Sequence, residues 1–180
     1  MNKEYIDPIS GHSESYALWL KPENEVYDVL KKIIFSLAKE YNAPHFEPHI
    51  TIAGGIRNSV DIIKDIVNIV AKESEPMTLF LRETDFRDTI YQSLFVHVAP
   101  NDALLALRER CLTELKLEHK PYMPHVSLLY KNLEVKEKKT IIEQVGSRFD
   151  LMFNPNKLYL VRTSGPPGSW KDMMYASLES

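Results

Sequence analysis

The stretches Phe46-Glu47-Pro48-His49-Ile50-Thr51-Ile52 and Tyr122-Met123-Pro124-His125-Val126-Ser127-Leu128 share one order: aromatic, any residue, proline, histidine, aliphatic, hydroxyl, aliphatic. Their aliphatic residues alternate as in a β-strand. A strand rises about 3.3 Å per residue and turns successive side chains to opposite faces, so His49 and Thr51 share a face about 7 Å apart, as do His125 and Ser127. Each stretch therefore offers an imidazole and a hydroxyl pointing the same way from a rigid strand. Two such strands facing one cleft would surround a small anion with two proton-transfer groups and two hydrogen-bond donors.

The surrounding chain has 180 residues, which predicts one two-lobed domain with ample length for a buried interior. Hydrophobic content of 44% and charged content of 26% give a globular balance and argue against disorder. A formal net charge of −3 argues against an extended basic surface for long nucleic acid, yet allows a small phosphate in a local pocket. The single cysteine, Cys111, has no internal disulfide partner and suits a reducing compartment. No signal-peptide core opens the chain, and no apolar run approaches the length of a membrane span. These features predict a soluble, cytoplasmic monomer without a membrane span, with residues 1–13 loosely ordered.

Ser15 to Leu20 reads as a first strand, closed by Pro22. Val26, Leu30, Ile33, Leu37 and Tyr41 recur at spacings of three and four, which predicts an amphipathic helix over 24–41. The first histidine strand ends at Gly54-Gly55. Asn58 or Ser59 can cap a second helix carrying Ile62, Ile63, Ile66 and Val70. Strands over 77–86 and 90–98, joined by a turn at Arg87-Asp88-Thr89, form a hairpin. The pattern then restarts. A helix capped by Asn101 or Asp102 carries Leu104, Leu107, Cys111 and Leu115, and the second histidine strand follows. A helix over 134–146 ends at Gly146, and strands near 149–153, 157–163 and 171–178 complete the chain. His125 follows His49 by 76 residues, a plausible length for one repeat unit. The expected fold is α+β, a duplicated two-lobe arrangement with antiparallel sheets lining a central cleft and helices on the outside.

One H-x-[ST] triplet means little. Of the six histidines, however, only His49 and His125 have a hydroxyl at +2, and both have proline at −1 and an aromatic residue at −3. Their chemistry is coherent for in-line displacement at phosphorus, which needs a base for the attacking water and an acid for the departing oxygen on opposite sides. Histidine serves both roles because its pKa of about 6.5 lies near working pH. Thr51 and Ser127 can donate hydrogen bonds to the non-bridging oxygens, where charge develops. No cofactor and no metal are expected, because neither stretch has H-x-x-x-H or C-x-x-C spacing. A serine-nucleophile triad is disfavoured too, since no G-x-S-x-G occurs.

On Pro48-His49-Ile50-Thr51-Ile52 and Pro124-His125-Val126-Ser127-Leu128-Leu129-Tyr130, the chain resembles the two-histidine phosphoesterases. It is most similar to the cyclic phosphodiesterases of plants and yeasts over residues 12–178, including Trp19 and the segment Thr163-Ser164-Gly165-Pro166-Pro167 with Ser169-Trp170. The resemblance implies metal-independent opening of small ribose cyclic phosphates. These are ADP-ribose 1″,2″-cyclic phosphate, a by-product of tRNA splicing, and nucleoside 2′,3′-cyclic phosphates, which yield 2′-phosphates. It also implies that His49 and His125 are the acid–base pair, that Thr51 and Ser127 bind phosphate, and that Tyr130 lines the site.

Strict alternation from His125 puts Tyr130 on the opposite face. It reaches the cleft only if the strand ends or bulges at Leu129. Trp170 is a candidate for stacking on a base or ribose, whereas core packing is the expected fate of Trp19. Gly165-Pro166-Pro167-Gly168 reads as a lid or as a stiff connection. Lys120 and Arg57 are further phosphate candidates, and His12, His45, His97 and His119 are expected to be structural or exposed. The alternative functions are hydrolysis or ligation of 2′,5′-linked RNA or oligoadenylate, and nucleotide binding without turnover.

Overall fold

The computed structural model describes residues 14–179. The expected loose order of residues 1–13, and His12 with it, lies outside the described residues. Among the described residues there are four α-helices and eight strands. They are β1 (Tyr16–Leu20), α1 (Asn24–Glu40), β2 (Ile50–Ile56), α2 (Val60–Lys72), β3 (Leu79–Asp85), β4 (Leu94–Val98), α3 (Asp102–Glu114), β5 (His125–Leu129), α4 (Val135–Val145), β6 (Met152–Phe153), β7 (Lys157–Arg162) and β8 (Lys171–Ser177). Asn101 caps α3 by accepting a hydrogen bond from the Leu104 amide, and α4 stops at Gly146, whose φ of 106° is left-handed.

All strand pairings are antiparallel, in the order β6-β3-β4-β5-β2-β1-β7-β8. From β3 to β7 this order is a palindrome. Shifting β1-α1-β2-α2-β3 by one repeat gives β4-α3-β5-α4-β7, and the two sets are mirrored about the β5–β2 seam. The lobes are nevertheless not the two halves of the chain in sequence. β3 leaves the first half to flank β4, and β7 leaves the second to flank β1. The helices cross over as well, α1 packing on β5 and α3 on β2. Each histidine strand is thus backed by a helix from the other half.

One face of the sheet is aliphatic. Leu18, Leu20, Ile50, Ile52, Val96, Val126, Leu128, Leu158 and Leu160 are fully buried there. Alternation turns Trp19, Thr51, Phe95, Ser127 and Tyr159 to the other, concave face. One stretch departs from the sequence reading. The connection between β3 and β4 spans 86–93, longer than the expected turn, and Ile90–Gln92 form a 3₁₀ turn. Ile90 and Tyr91 look like strand residues, but they project into solvent at 53% and 54% exposure. Pairing of β4 with β5 begins only at Leu94. Beneath this loop the Lys138 ammonium is buried, donating to the Arg87 carbonyl at 3.1 Å and reaching Asp88 at 3.3 Å.

Ile50 and Val126 carry the seam, and both are fully buried. Ile50→Ala is expected to cost ~2–5 kcal/mol, seen as a lower urea midpoint at unchanged slope. Ile62→Ala, at a residue 52% exposed, should stay within about 0.5 kcal/mol.

Candidate active site

β2 and β5 touch through a single antiparallel bridge, Ile50↔Val126. Continuing that register one residue each way sets His49 beside Ser127 and Thr51 beside His125. Ile50 and Val126 point into the core, so all four flanking side chains lie on the concave face. The structure thus places the two imidazoles and two hydroxyls that the sequence singled out on one face, about the single bridge.

The proline in each motif has a local purpose. A residue before proline is confined to extended backbone, and proline itself has a fixed φ and no N–H. This bracket turns the preceding carbonyl toward the histidine ring. His49 Nδ1 lies 2.7 Å from the Glu47 carbonyl, and His125 Nδ1 lies 2.8 Å from the Met123 carbonyl. A carbonyl only accepts, so Nδ1 carries the proton in both rings and Nε2 is left for proton transfer. The Glu47 side chain is anchored in turn by α1. The Tyr27 hydroxyl donates to it, Lys31 pairs with it at 3.3 Å, and Lys31 also donates to the Tyr27 hydroxyl at 2.8 Å.

Aromatic rings wall the site. Trp19, opposite Thr51 in the register, stacks on His49 with ring centres 3.6 Å apart and planes 11° apart. It is buried, as expected, but on the cleft face and against the His49 ring. In the other lobe Phe95 sits opposite Ser127 and meets His125 edge-on at 5.1 Å. Trp19 and Phe95 are one repeat apart, so this pair of supports was visible in the sequence through the offset of 76 residues. The aromatic residues at −3 reach across the seam. Phe46 stacks on Tyr130 at 3.9 Å, and the Tyr122 hydroxyl donates to the Thr51 carbonyl at 3.1 Å. Arg108 of α3 lies over the Tyr122 ring and donates to the Ile52 carbonyl, bracing β2 from behind.

Tyr130 does enter the cleft, because β5 stops at Leu129. Its hydroxyl hydrogen bonds with the Ser127 side chain, and its ring contacts Phe46, Tyr91 and Trp170. Ser127 Oγ donates to the Tyr91 carbonyl at 3.2 Å, so a phosphate oxygen would have to take that proton over from the 86–93 loop. Trp170 points its edge at Trp19, at 5.6 Å, and at His49, at 6.3 Å, with its indole N–H held by the Gly165 carbonyl. Together with Pro167 and Gly168 it borders a cavity of about 210 Å³ lined also by Trp19, Phe46 and Asp172. The 163–170 segment therefore packs beside the Trp19–His49 stack, and the cavity it borders opens toward Phe35, His45 and Glu47 rather than onto the four motif side chains.

Arg57 is not brought to the motif. It follows the far end of β2, eight residues from His49 and so about 25 Å along the strand. Lys120 is turned to Glu118 at 3.1 Å and lines a groove beside α3. Lys21, which the sequence reading passed over, lies on the cleft face of β1. Its ammonium meets both Asp172 carboxylate oxygens at 2.7 Å. One repeat later stands His97, paired with Asp85 at 3.1 Å and opposite His125 in the register. Among the described residues, no group of three or more His, Cys, Asp or Glu is placed to hold a metal ion.

Burial pushes the His49 pKa down to about 3, and the Lys21 and His125 charges push the same way against the Glu47 carbonyl. His125 is also lowered, chiefly by burial and then by His97 and Arg87, against the Met123 carbonyl. Both imidazoles are therefore neutral at neutral pH. A bound phosphate anion would favour the imidazolium in either ring.

The cyclic phosphodiesterase-like protein family matches residues 14–178. A cyclic phosphodiesterase of Arabidopsis thaliana is 28% identical over 153 residues, covering 82% of this chain and 84% of that protein. Among solved structures, TT0787 of Thermus thermophilus superposes with a TM-score of 0.69 at 15% identity, covering 92% of this chain and 98% of its own. LigT of E. coli, complexed with 3′-AMP, gives 0.64 at 16% identity and covers 93% and 99%. At these identities the structural matches establish a common fold.

If the two imidazoles act as an acid–base pair, the working form carries one proton between them. Below both pKa values no base remains, and above both no acid remains. Because both are lowered, kcat/KM, which reports the free enzyme, should peak on the acid side of pH 6.5. An optimum above pH 7.5 would contradict this electrostatic picture.

Proposed function

The chain belongs to the cyclic phosphodiesterase-like protein family, and from that membership we propose that it hydrolyses small ribose cyclic phosphates by a two-histidine acid–base mechanism. The substrates we propose are ADP-ribose 1″,2″-cyclic phosphate and nucleoside 2′,3′-cyclic phosphates, the latter opened to 2′-phosphates. The observation that carries the proposal is the quartet about the Ile50↔Val126 bridge, with both Nδ1 atoms occupied by backbone carbonyls.

In this mechanism the cyclic phosphate lies over the bridge, and Thr51 and Ser127 donate to its non-bridging oxygens. One Nε2 accepts a proton from water as the water oxygen attacks phosphorus. The P–O bond opposite breaks, and the other Nε2, protonated, gives its proton to the departing ribose oxygen. The ring pair ends with its protons exchanged, so the proton count is conserved over the turnover. Tyr130 supports Ser127, and Trp170 walls the ribose or base through the loop it anchors. Trp19 holds the His49 ring flat, which keeps its Nε2 aimed as charge develops. The cleft accommodates a small ligand without an extended basic track, in keeping with a net charge of −3.

His49→Ala and His125→Ala should each lower turnover of a 2′,3′-cyclic nucleotide by about 10²–10⁴-fold. Near wild-type turnover in either variant would refute the mechanism. Activity should persist in excess EDTA, and a loss that added zinc restores would point instead to a metal-dependent reaction. Phosphorus NMR of the product distinguishes a 2′- from a 3′-phosphate.

A further inference from the structure

We propose that the concave face of β1, β7 and β8 is a second binding subsite, which takes a nucleoside joined through phosphate to the reacting ribose. It rests on the cyclic phosphodiesterase reading and deepens it, assigning the surface that holds the body of a substrate longer than a mononucleotide. The supporting feature is a row of rings that leaves His49 in one direction. Trp19 stacks on His49 at 3.6 Å, Tyr159 sits opposite Trp19 in the register, and Tyr175 sits opposite Tyr159. The Tyr159 and Tyr175 rings are 5.6 Å apart. Neighbouring strands are about 4.8 Å apart, so the row extends about 10 Å beyond Trp19, further than a mononucleotide held at His49 requires.

Two ammonium groups punctuate the row. Lys21 Nζ lies 4.6 Å from the centre of the Tyr159 ring and 5.7 Å from that of Trp19. Two of its three protons go to Asp172, which leaves one for a ligand oxygen at the end of the row nearest His49. Lys157 Nζ lies 5.2 Å over Tyr175 and pairs with Glu23 at 3.2 Å. Rings alternating with cations bind bases by stacking and phosphate by charge. The half-exposed carboxylate of Asp172 is placed to accept from a sugar hydroxyl.

Among the described residues, the other lobe, with Phe95 against His97 and Arg82 over Phe80, does not repeat this row in register, although the fold is symmetric. Phe95 stands where Trp19 does, but its register partner on β3 is Asp85, in the place of Tyr159. The outermost strand there, β6, has two residues against seven in β8 and pairs only with Leu79 and Phe80. A cross-strand tyrosine pair can serve an edge strand simply by packing. Here, however, α2 lies along β8, and alternation turns Tyr175 to the concave side, where it is 57% exposed.

Three substrates test the subsite: adenosine 2′,3′-cyclic phosphate, the dinucleotide ApA ending in a 2′,3′-cyclic phosphate, and ADP-ribose 1″,2″-cyclic phosphate. Each is assayed with wild type, Tyr175→Ala and Tyr175→Phe. The alanine variant should lose roughly tenfold more kcat/KM, mainly through KM, on an extended substrate than on the mononucleotide. The phenylalanine variant should keep the ring's contribution. Whichever extended substrate shows the effect identifies the source of the second nucleoside. An equal effect on all three substrates, or none, overturns the proposal. Failure of wild type to open any of them would defeat the cyclic phosphodiesterase reading instead. The subsite is then decided by binding of adenosine 2′-phosphate and of ApA 2′-phosphate, followed by quenching of intrinsic fluorescence. Tighter dinucleotide binding that Tyr175→Ala abolishes supports it, and equal affinities overturn it.

Discussion

Everything near the cleft depends on two strands that meet at one point. The Ile50↔Val126 bridge is the only register contact between β2 and β5 among the described residues. A longer ladder would close the seam and leave no room for a ligand between the lobes. A single bridge fixes the relative register, and with it which side chains face which, while letting the strands diverge on either side. A slip of one residue would send the imidazoles into the core and the aliphatic residues into the cleft. The fully buried pair at the seam makes that slip costly. The crossed helices reinforce it, since α1 backs β5 and α3 backs β2, tying each strand to the other half of the chain.

Burying two imidazoles beside cations has an electrostatic cost, and the site meets it by keeping both rings neutral and fully directed. The Glu47 and Met123 carbonyls occupy Nδ1, and burial with neighbouring positive charge holds the pKa values down. An anion placed between the rings would reverse that balance, because a nearby negative charge favours the imidazolium. The cleft is thus poised to gain a proton with its ligand, which is the state an acid–base pair needs. Trp19 contributes by covering one face of His49, excluding water from it and fixing its plane.

The repeated motif was legible because its parts each have a separate physical reason: proline to aim a carbonyl, histidine to hold it, a hydroxyl two residues on to share the face. The bounds of α1 and α4, and the starts of α2 and α3, were legible from periodicity and caps to within about two residues. The exchange of β3 and β7 between lobes was not. Strand patterns record which residues are buried but carry no label for the partner strand, and both exchanged strands bury the same kind of face. The 86–93 loop was misread because Ile90 and Tyr91 resemble strand residues while facing solvent. Tyr130 could only be placed conditionally, since the end of β5 at Leu129 decides its face. Lys21 was overlooked as an ordinary charge after a strand. Only the repeat offset, which carries Lys21 onto His97 and Trp19 onto Phe95, exposes its place on the cleft wall.

That offset also shows where duplication has been abandoned. The catalytic pairs proposed here, His49 with Thr51 and His125 with Ser127, are chemically interchangeable, whereas their surroundings are not. Beside His49 stand a lysine, a tryptophan and a tyrosine row; beside His125 stand a histidine, a phenylalanine and an acid. The proposed substrates are themselves unsymmetrical, with a cyclic phosphate at one end and the body of a nucleotide at the other. A symmetric site would bind them equally well in two orientations, only one of which presents the scissile bond correctly. Divergence at the walls, with the reacting groups left alike, is the economical way to choose between them. On the proposed reading, the rings and cations of the longer wall, β1-β7-β8, would hold the body, and the asymmetry of the sheet edges would set the direction in which the bridged pair is used.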